Sequence, residues 1–212
     1  MVVKDFMTPN PITVFPDTTF SEALRIMRER KIRRLPVLEG GKLVGIVTEK
    51  DLLYASPSKA TTLDIWELHY VLSKLKVGEI MTKNVITVEE SAPLEEAARI
   101  MAENKIGALP VLNEEGELVG IITETDIFKV FIDMLGARRD GIRYTFTAPN
   151  KPGIILEISK RIYDAGGNII AVSSYPKDGM NYFIVMKVAG VDHERFVKSL
   201  EGCEAKLEYF HK

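Results

Sequence analysis

The sequence is poor in the residues that build disulfides and metal sites. It contains a single cysteine, Cys203, among 212 residues, which excludes an internal disulfide and any metal site made of several cysteines. The three histidines, His69, His193 and His211, stand far apart and have no cysteine or carboxylate near them at ligand spacing. We therefore expect no metal site and no cofactor.

An excess of charge of either sign is also absent. The chain has 28 basic and 30 acidic side chains, a net charge of −2, whereas proteins that grip nucleic-acid backbones usually carry a basic surplus. No apolar segment approaches the roughly 20 residues needed to span a bilayer. The opening residues MVVKDFMTPNP lack the apolar stretch of a signal peptide. These absences predict a cytoplasmic protein with neither a nucleic acid nor a membrane as partner.

Familiar catalytic patterns are missing as well. The sequence has no Gly-x-x-x-x-Gly-Lys-Ser/Thr loop, no Gly-x-Ser-x-Gly elbow and no His-Glu-x-x-His pair. Cys203 follows Gly202 and has no recognisable base nearby, so it is a poor candidate nucleophile. We expect a protein that is not an enzyme.

An internal repeat is what the sequence does contain. Residues 7–38 align with 81–112 at a constant offset of 74, and after one inserted residue 42–52 aligns with 117–127 at 75. The apolar spacing in each copy predicts the order β-α-β-β-α, with helical faces Phe20, Leu24 and Met27 in one copy and Leu94, Ala98 and Met101 in the other. One such unit covers only one face of its sheet, so we expect the two copies to pack face to face.

One further segment lies between the two copies, and another follows the second copy. Between them, Ser56-Pro57-Ser58 predicts a turn, and the apolar pattern from Leu63 to Leu75 predicts a packed linker helix. After the second copy, the apolar pattern and the glycine turns predict the order βαββαβ, a ferredoxin-like sandwich of some 70 residues. The predicted fold is mixed α/β (α+β), with regions at 1–54, 55–76 (linker), 77–135 and 140–212.

The sharpest local feature is a Thr-x-x-Asp group that directly follows a Gly-Ile-Val/Ile strand in each copy. It comprises Thr48 and Asp51 in one copy and Thr123 and Asp126 in the other. One interpretation is a capping box, in which each pair satisfies free N–H groups at a helix start. The other is a ligand site, in which the helix N-terminus and threonine bind phosphate and aspartate accepts from ribose hydroxyls. The two roles are compatible.

Both copies resemble CBS motifs (cystathionine β-synthase-type repeats), whose tandem pair forms a Bateman module. The resemblance rests on the Met-Thr starts, the Leu-Pro-Val strands and the Gly-h-h-Thr-x-x-Asp endings, and it covers nearly all of residues 1–135. It implies that clefts between the repeats bind AMP, ADP, ATP, a dinucleotide or S-adenosylmethionine. The implied contacts are Thr48, Asp51, Thr123 and Asp126 for ribose and phosphate, the segments Ile12-Thr13 and Ile86-Thr87 for the base, and Pro36 and Pro110 of the Leu-Pro-Val strands.

The copies differ in charge just before the Leu-Pro pair. The first copy has Arg33-Arg34 where the second has Gly107-Ala108. Net charge follows the same trend, +2 for residues 1–53 and −8 for residues 77–135. In similar modules an arginine here contacts phosphate, and a guanidinium suits that task through its fork of donors. We therefore expect one strong phosphate site that uses Arg33 or Arg34; the alternative is that both lie on a solvated surface.

The C-terminal region resembles an ACT domain, a small regulatory fold that often binds amino acids at interfaces between copies. The resemblance lies in Asn150-Lys151-Pro152-Gly153-Ile154-Ile155 and in Gly166-Gly167-Asn168-Ile169. Asn150 replaces the usual acid of the opening turn, which weakens the case for a charged contact to a ligand amine. The alternative is that these residues have only a structural role, since Asn-x-Pro-Gly is common in turns and a glycine pair commonly ends a helix. The residues implied for an amino acid are Asn150, Pro152, Gly153, Ile154, Asn168 and Ile169.

The order of these modules resembles that of acetoin-utilisation proteins of the AcuB type. It favours a sensor, in which ligand in the clefts changes the angle between the repeats and the ACT region passes the change to a regulated partner protein. The alternative is a constitutive scaffold whose clefts are vestigial. Modules of both kinds tend to self-associate, so a homodimer is expected under either hypothesis.

Replacement of one arginine tests the phosphate hypothesis. We expect Arg34→Ala to weaken nucleotide affinity tenfold or more in isothermal titration calorimetry, because it removes a charge-assisted, bidentate donor. Unchanged affinity would remove Arg34 from the site.

Overall fold

The computed structural model describes residues 1–55 and 72–212, and the chain divides into two compact units, Met1–Ile127 and Phe128–Lys212. The predicted turn at Ser56-Pro57-Ser58 and most of the predicted linker helix lie outside the described residues. Leu72 and Leu75, from the end of that helix pattern, pack against the core of the first repeat. No helix among the described residues is long and apolar enough to cross a membrane.

The two repeats make up nearly all of the first unit and follow the predicted order of elements. The first repeat contains β1 (Thr8–Pro9), α1 (Phe20–Arg30), β2 (Arg34–Glu39), β3 (Lys42–Thr48) and α2 (Glu49–Ala55). The second contains α3 (Val77–Ile80), β4 (Val88–Glu89), α4 (Leu94–Asn104), β5 (Ala108–Leu112), β6 (Leu118–Thr123) and α5 (Glu124–Met134). The boundary between the two units falls within α5.

The predicted Ile-Thr-Val strands are shorter than expected. In the second repeat only Val88 and Glu89 pair with β5, and in the first a single parallel bridge joins Val14 to Val37. Val14 and Val88 are the buried members of these segments, so each segment is anchored to its sheet by one valine.

The first helix of each repeat buries one apolar stripe. Thr19 caps α1 by accepting the N–H of Glu22 at 3.2 Å, which satisfies one of the free donors of the first turn. The fully buried positions are Phe20, Ala23 and Met27 in α1, and Leu94, Ala97 and Met101 in α4. The expected central positions, Leu24 and Ala98, are only half-buried. The helices are thus rotated so that the small alanine three residues after the first buried side chain faces the sheet most directly.

The start of each repeat pairs with the last strand of the other repeat. Thr8 and Pro9 of β1 lie antiparallel to Ile121 and Gly120 of β6, so one sheet has the order β1-β6-β5-β4. The equivalent residues of the other copy, Thr82 and Ile46, exchange backbone hydrogen bonds of 2.9 and 3.0 Å. The two repeats are therefore joined by an exchange of backbone between them.

A methionine from each Met-Thr start packs onto a glycine of the other repeat. A Cβ atom at Gly120 would meet the side chain of Met7, and a Cβ atom at Gly45 would meet the side chain of Met81. Neither glycine has a positive φ, so the backbone does not require glycine here. Both glycines are buried, and the space left by the missing side chain is what the methionine occupies.

The second unit carries a four-stranded antiparallel sheet and two helices in the predicted order βαββαβ. Its elements are β7 (Ile142–Pro149), α6 (Ile154–Asp164), β8 (Asn168–Pro176), β9 (Asn181–Ala189), α7 (His193–Ser199) and β10 (Lys206–His211). The strand order is β10-β7-β9-β8, so β10 and β8 are the edges of the sheet.

The core of the second unit lies between the helices and one face of the sheet. Alternate residues of the strands, Tyr144 and Phe146 among them, are fully buried against Phe196 and the apolar face of α6. The Tyr144 hydroxyl lies 2.9 Å from Nδ1 of His193, which gives this buried polar group a partner. The Gly166-Gly167 pair ends α6 as expected, since Gly166 has a φ of 78° and the Gly167 N–H donates to Ile162 at 2.9 Å.

A larger side chain at Gly120, the glycine onto which Met7 packs, tests the exchange of backbone between the repeats. We expect Gly120→Val to lower the free energy of unfolding by about 1–3 kcal/mol, because the added side chain overpacks the site that Met7 occupies. Met7→Ala in the same chain should restore part of the loss, and both changes can be followed by denaturant unfolding. A double variant no more stable than Gly120→Val alone would contradict this packing.

Candidate functional site

Thr48 and Asp51 bond to each other at the start of α2. The Thr48 N–H and hydroxyl both donate to Oδ2 of Asp51 at 2.8 Å, and the Asp51 N–H donates to the Thr48 hydroxyl oxygen at 3.2 Å. This is the reciprocal geometry of a capping box. A carboxylate has two oxygens and about four acceptor positions, so these two bonds leave capacity for a ligand hydroxyl.

The second pair makes the same two bonds from threonine to aspartate at the start of α5. The Thr123 N–H and hydroxyl donate to Oδ2 of Asp126 at 3.0 and 2.7 Å. Both members are half-buried, as are Thr48 and Asp51. The two pseudo-equivalent turns therefore share the bonds that orient the aspartate on its threonine.

A cavity of about 500 Å³ within the first unit, the first cleft, is lined by half of the expected nucleotide contacts. Its lining includes Arg33, Arg34, Thr48 and Asp51 from the first repeat and Ile86 and Pro110 from the second. Ligand pockets for small molecules typically measure 300–1,000 Å³. The structure thus brings together one Thr-Asp pair, both arginines and the apolar base-contact position of the opposite repeat.

A smaller cavity of about 290 Å³, the second cleft, lies at the pseudo-equivalent place. It is lined by Thr123, by Ile12 and by the same two arginines, Arg33 and Arg34. Because the starting segment of each repeat crosses to the last strand of the other, Ile12 meets Thr123, just as Ile86 meets Thr48.

Four expected residues lie apart from their cleft walls. Thr13 and the buried Pro36 line neither cleft, and Asp126 reaches the second cleft only through its bonds to Thr123. Thr87 lines a separate groove with the turns that contain Gly40 and Gly116. The cause for the threonines is the alternation of extended chain, since Ile12 and Ile86 face the clefts and the next side chain points away.

Sequence reasoning missed two lysines. Lys31 follows α1 and Lys105 follows α4, both with a left-handed φ of 54°, a conformation in which glycine is usual after a helix. Lys105 lines the first cleft and Lys31 the second. Their one sequence signal is the shared Lys-Ile that precedes each Leu-Pro segment.

Both clefts have more basic than acidic side chains on their walls. In the first cleft Lys50 and Lys105 join the two arginines, and Glu49 and Asp51 also line it; in the second, Lys31 joins the arginines and the lining, among the described residues, includes no acidic residue. Burial lowers the pKa of the half-buried Arg34 guanidinium, the neighbouring Arg33 lowers it further, and Glu124 raises it. The site therefore holds a concentrated positive charge that is only partly compensated, as an anion-binding site requires.

The residues expected to bind an amino acid in the second unit lie at two separate places. A cavity of about 320 Å³ is lined by Asn150, Pro152, Gly153 and Ile154, with Ser174 from the far end of β8. Asn168 and Ile169 begin β8 and pair with Ala189 and Val188, at the opposite end of that strand. The residues that line the cavity, all in the described part of the chain, include no aspartate or glutamate, and Lys151 is engaged with Glu204.

Comparison with known proteins gives a family match for the two repeats. The model of the CBS domain family matches residues 3–58 and 77–133. Among curated relatives, the inosine-5'-monophosphate dehydrogenase of Korarchaeum cryptofilum is 42% identical over 125 residues, which cover 59% of this chain and 23% of that enzyme. The shared part is thus a minor fraction of the dehydrogenase.

Solved structures of similar proteins cover about two thirds of the chain. The CBSX2 protein of Arabidopsis thaliana in complex with AMP is 37% identical, with a TM-score of 0.51, covering 65% of this chain and 98% of that one. The CBS domain pair of protein MJ0100, in complex with 5'-methylthioadenosine and S-adenosyl-L-methionine, is 32% identical, with a TM-score of 0.52 and coverages of 66% and 98%. A putative acetoin utilization protein (AcuB) from Vibrio cholerae is 33% identical, with a TM-score of 0.54 and coverages of 65% and 95%.

The Thr-Asp turns allow a stability test that does not depend on a ligand. We expect Thr123→Val to lower the free energy of unfolding by about 1 kcal/mol, because valine keeps the side-chain shape but removes the hydroxyl that donates to Asp126. The control is Thr125→Val, an exposed position in the same turn, which should change stability by less than about 0.5 kcal/mol. Equal effects of the two changes in denaturant unfolding would argue against the capping role.

Proposed function

Because the chain belongs to the CBS domain family, we propose that its paired repeats act as a non-catalytic regulatory module that binds an adenosine-containing ligand. The observation that carries the proposal is the first cleft, where Thr48 and Asp51 lie with Arg33 and Arg34 around one cavity of about 500 Å³. Candidate ligands are AMP, ADP, ATP, a dinucleotide or S-adenosylmethionine. Structures of similar CBS pairs with AMP and with S-adenosyl-L-methionine support this class.

The chemistry of the first cleft matches the parts of a nucleotide. The arginines would take the phosphate through charge-assisted hydrogen bonds. Asp51, already oriented by Thr48, would accept from a ribose hydroxyl with the remaining acceptor positions of its carboxylate. Ile86 and Pro110 offer apolar surface for the base. The smaller second cleft, with Thr123 and Ile12, would take a second ligand of the same class.

For the C-terminal region, 140–212, we propose an ACT domain that binds an amino acid or a related carboxylate between two copies of the chain. The supporting observation is the cavity beside Gly153, together with the position of β8 at the edge of its sheet. Antiparallel pairing of β8 with the β8 of a second copy would bring Asn168 of that copy next to Ser174 of the first. A homodimer would thereby join the two halves of the divided site.

Regulation would then connect the nucleotide clefts with a partner protein in the cytoplasm. The helix α5 starts at Thr123 and Glu124, beside the second cleft, and extends beyond Ile127 into the residues of the second unit. A ligand that favours one arrangement of the repeats would act on the start of this helix, and only through a difference in affinity between two states. The regulated protein would take part in acetoin utilisation, as the resemblance to AcuB-type proteins implies.

Thermal unfolding with a ligand panel tests the proposed function. An adenosine ligand at 100 times its dissociation constant should stabilise the chain by about 2.7 kcal/mol, and a tenfold loss of affinity in Arg34→Ala should reduce the effect of AMP at the same concentration to about 1.4 kcal/mol. The panel contains AMP, ADP, ATP, a dinucleotide, S-adenosylmethionine and amino acids. Mass spectrometry of the purified protein would identify any ligand retained from the cell.

Absence of a shift with every compound would contradict nucleotide sensing. It would favour the alternative, a constitutive homodimeric scaffold whose clefts are vestigial. A shift with amino acids alone would assign ligand binding to the C-terminal region instead.

A further inference from the structure

Gly107 leaves a space that two charged side chains occupy. A Cβ atom at this position would lie 2.6 Å from Nη2 of Arg34 and 2.9 Å from Oε2 of Glu124. Gly107 has no positive φ, so the glycine is needed for space and not for its backbone conformation. The two distances also place the guanidinium nitrogen and the carboxylate oxygen no more than about 5.5 Å apart.

The repeats contribute unequal parts to this arrangement. With the offset of 74, Gly107 and Ala108 stand where the first repeat has Arg33 and Arg34. One repeat therefore supplies two cations, and the other supplies the room that one of them, Arg34, occupies. The counter-charge comes from the second repeat as well, because Glu124 belongs to its Thr-x-x-Asp turn, and its N–H donates to the Gly107 carbonyl at 3.2 Å.

Arg34 is shared between the two clefts. It lines both cavities, while Gly107 lines only the first. Its position is half-buried, next to the like charge of Arg33, and Glu124 is the acidic group that raises the pKa of its guanidinium. A cation in such surroundings gains from a nearby anion, and a carboxylate and a phosphate compete for the same fork of N–H donors.

We propose that Glu124 is the resident counter-ion of Arg34 and that an anionic ligand in the first cleft takes its place, so that Glu124 sets the preference of this cleft between anionic and neutral adenosine compounds. The inference rests on the proposed function and adds a specificity-determining residue to it. With Glu124 present, every anionic ligand must compete with its carboxylate, which lies beside Arg34 at the space left by Gly107. A neutral ligand does not need Arg34 and does not face this competition.

A consequence concerns the second cleft. Once a phosphate holds Arg34 in the first cleft, Glu124 remains uncompensated directly beside Thr123, which lines the second cleft. A second anion then meets a negative charge and lacks the shared guanidinium, so the two clefts bind anionic ligands with negative cooperativity. Two neutral ligands bind independently.

Calorimetric titration of the full chain with AMP and with adenosine tests the proposal. We expect Glu124→Gln to raise the affinity for AMP at the first cleft about five- to tenfold, and to change the affinity for adenosine less than twofold, because only the anion competes with the carboxylate. The matched control is Glu95→Gln, which makes the same change in net charge at an exposed position in the first turn of α4, at the opposite end of that helix from Lys105. Glu95→Gln should leave both affinities within twofold.

A double-mutant cycle separates a direct role of Glu124 from a general charge effect. In the Arg34→Ala background, Glu124→Gln should change AMP affinity less than twofold, because the guanidinium for which the anions compete is gone. An equal gain with and without Arg34, an equal gain for AMP and adenosine, or no gain for AMP would each overturn the inference. If the unmodified chain binds neither compound, the proposed function fails and the inference fails with it; if it binds AMP and Glu124→Gln binds no better, only the inference fails.

Discussion

The exchange of backbone between the repeats is the constraint on which the first unit depends. Thr8 pairs with Ile121 and Thr82 with Ile46, and the methionine before each threonine fills the space above a glycine in the strand it reaches. Two-residue strands make few hydrogen bonds of their own, so the segments hold their places because side-chain packing and backbone pairing act together. This exchange also determines which residues line each cleft, because it brings the base-contact position of one repeat to the Thr-Asp turn of the other.

Local and tertiary roles coincide in the Thr-Asp turns. In each turn the aspartate accepts the N–H and the hydroxyl of its threonine, so the residue types are already explained by the need to start a helix. The ligand hypothesis does not replace that explanation, because these bonds orient the carboxylate that a ribose hydroxyl would meet. What distinguishes the clefts is instead the rest of their lining: both include Arg33 and Arg34, but the first adds Lys50, Lys105, Glu49 and Asp51, whereas the second adds Lys31.

Features that depend on the spacing of nearby residues could be predicted from the sequence. Features that depend on contacts with residues far away in the sequence could not. The repeat, the order of elements, the Thr-Asp turns and the presence of the arginine pair in one copy only all follow from spacing and residue type. The crossing of Thr8 could not be foreseen, because a two-residue strand has no periodicity. Neither could the purpose of Gly107, which depends on side chains from α5 and from the other repeat. The outward direction of Thr13 and Thr87 was missed because both members of each Ile-Thr pair were assigned to the base.

The mutual exchange has a consequence for the history of such a chain. Two separate half-length polypeptides, each with one Met-Thr start and one glycine in its last strand, would make the same contacts by assembling as a pair with twofold symmetry. Joining them through gene duplication removes the cost of finding a partner and frees the halves from having to be identical. The unlike residues at equivalent positions, Arg33 against Gly107 and Arg34 against Ala108, reflect that freedom, because a symmetric pair would have the same residue at both positions.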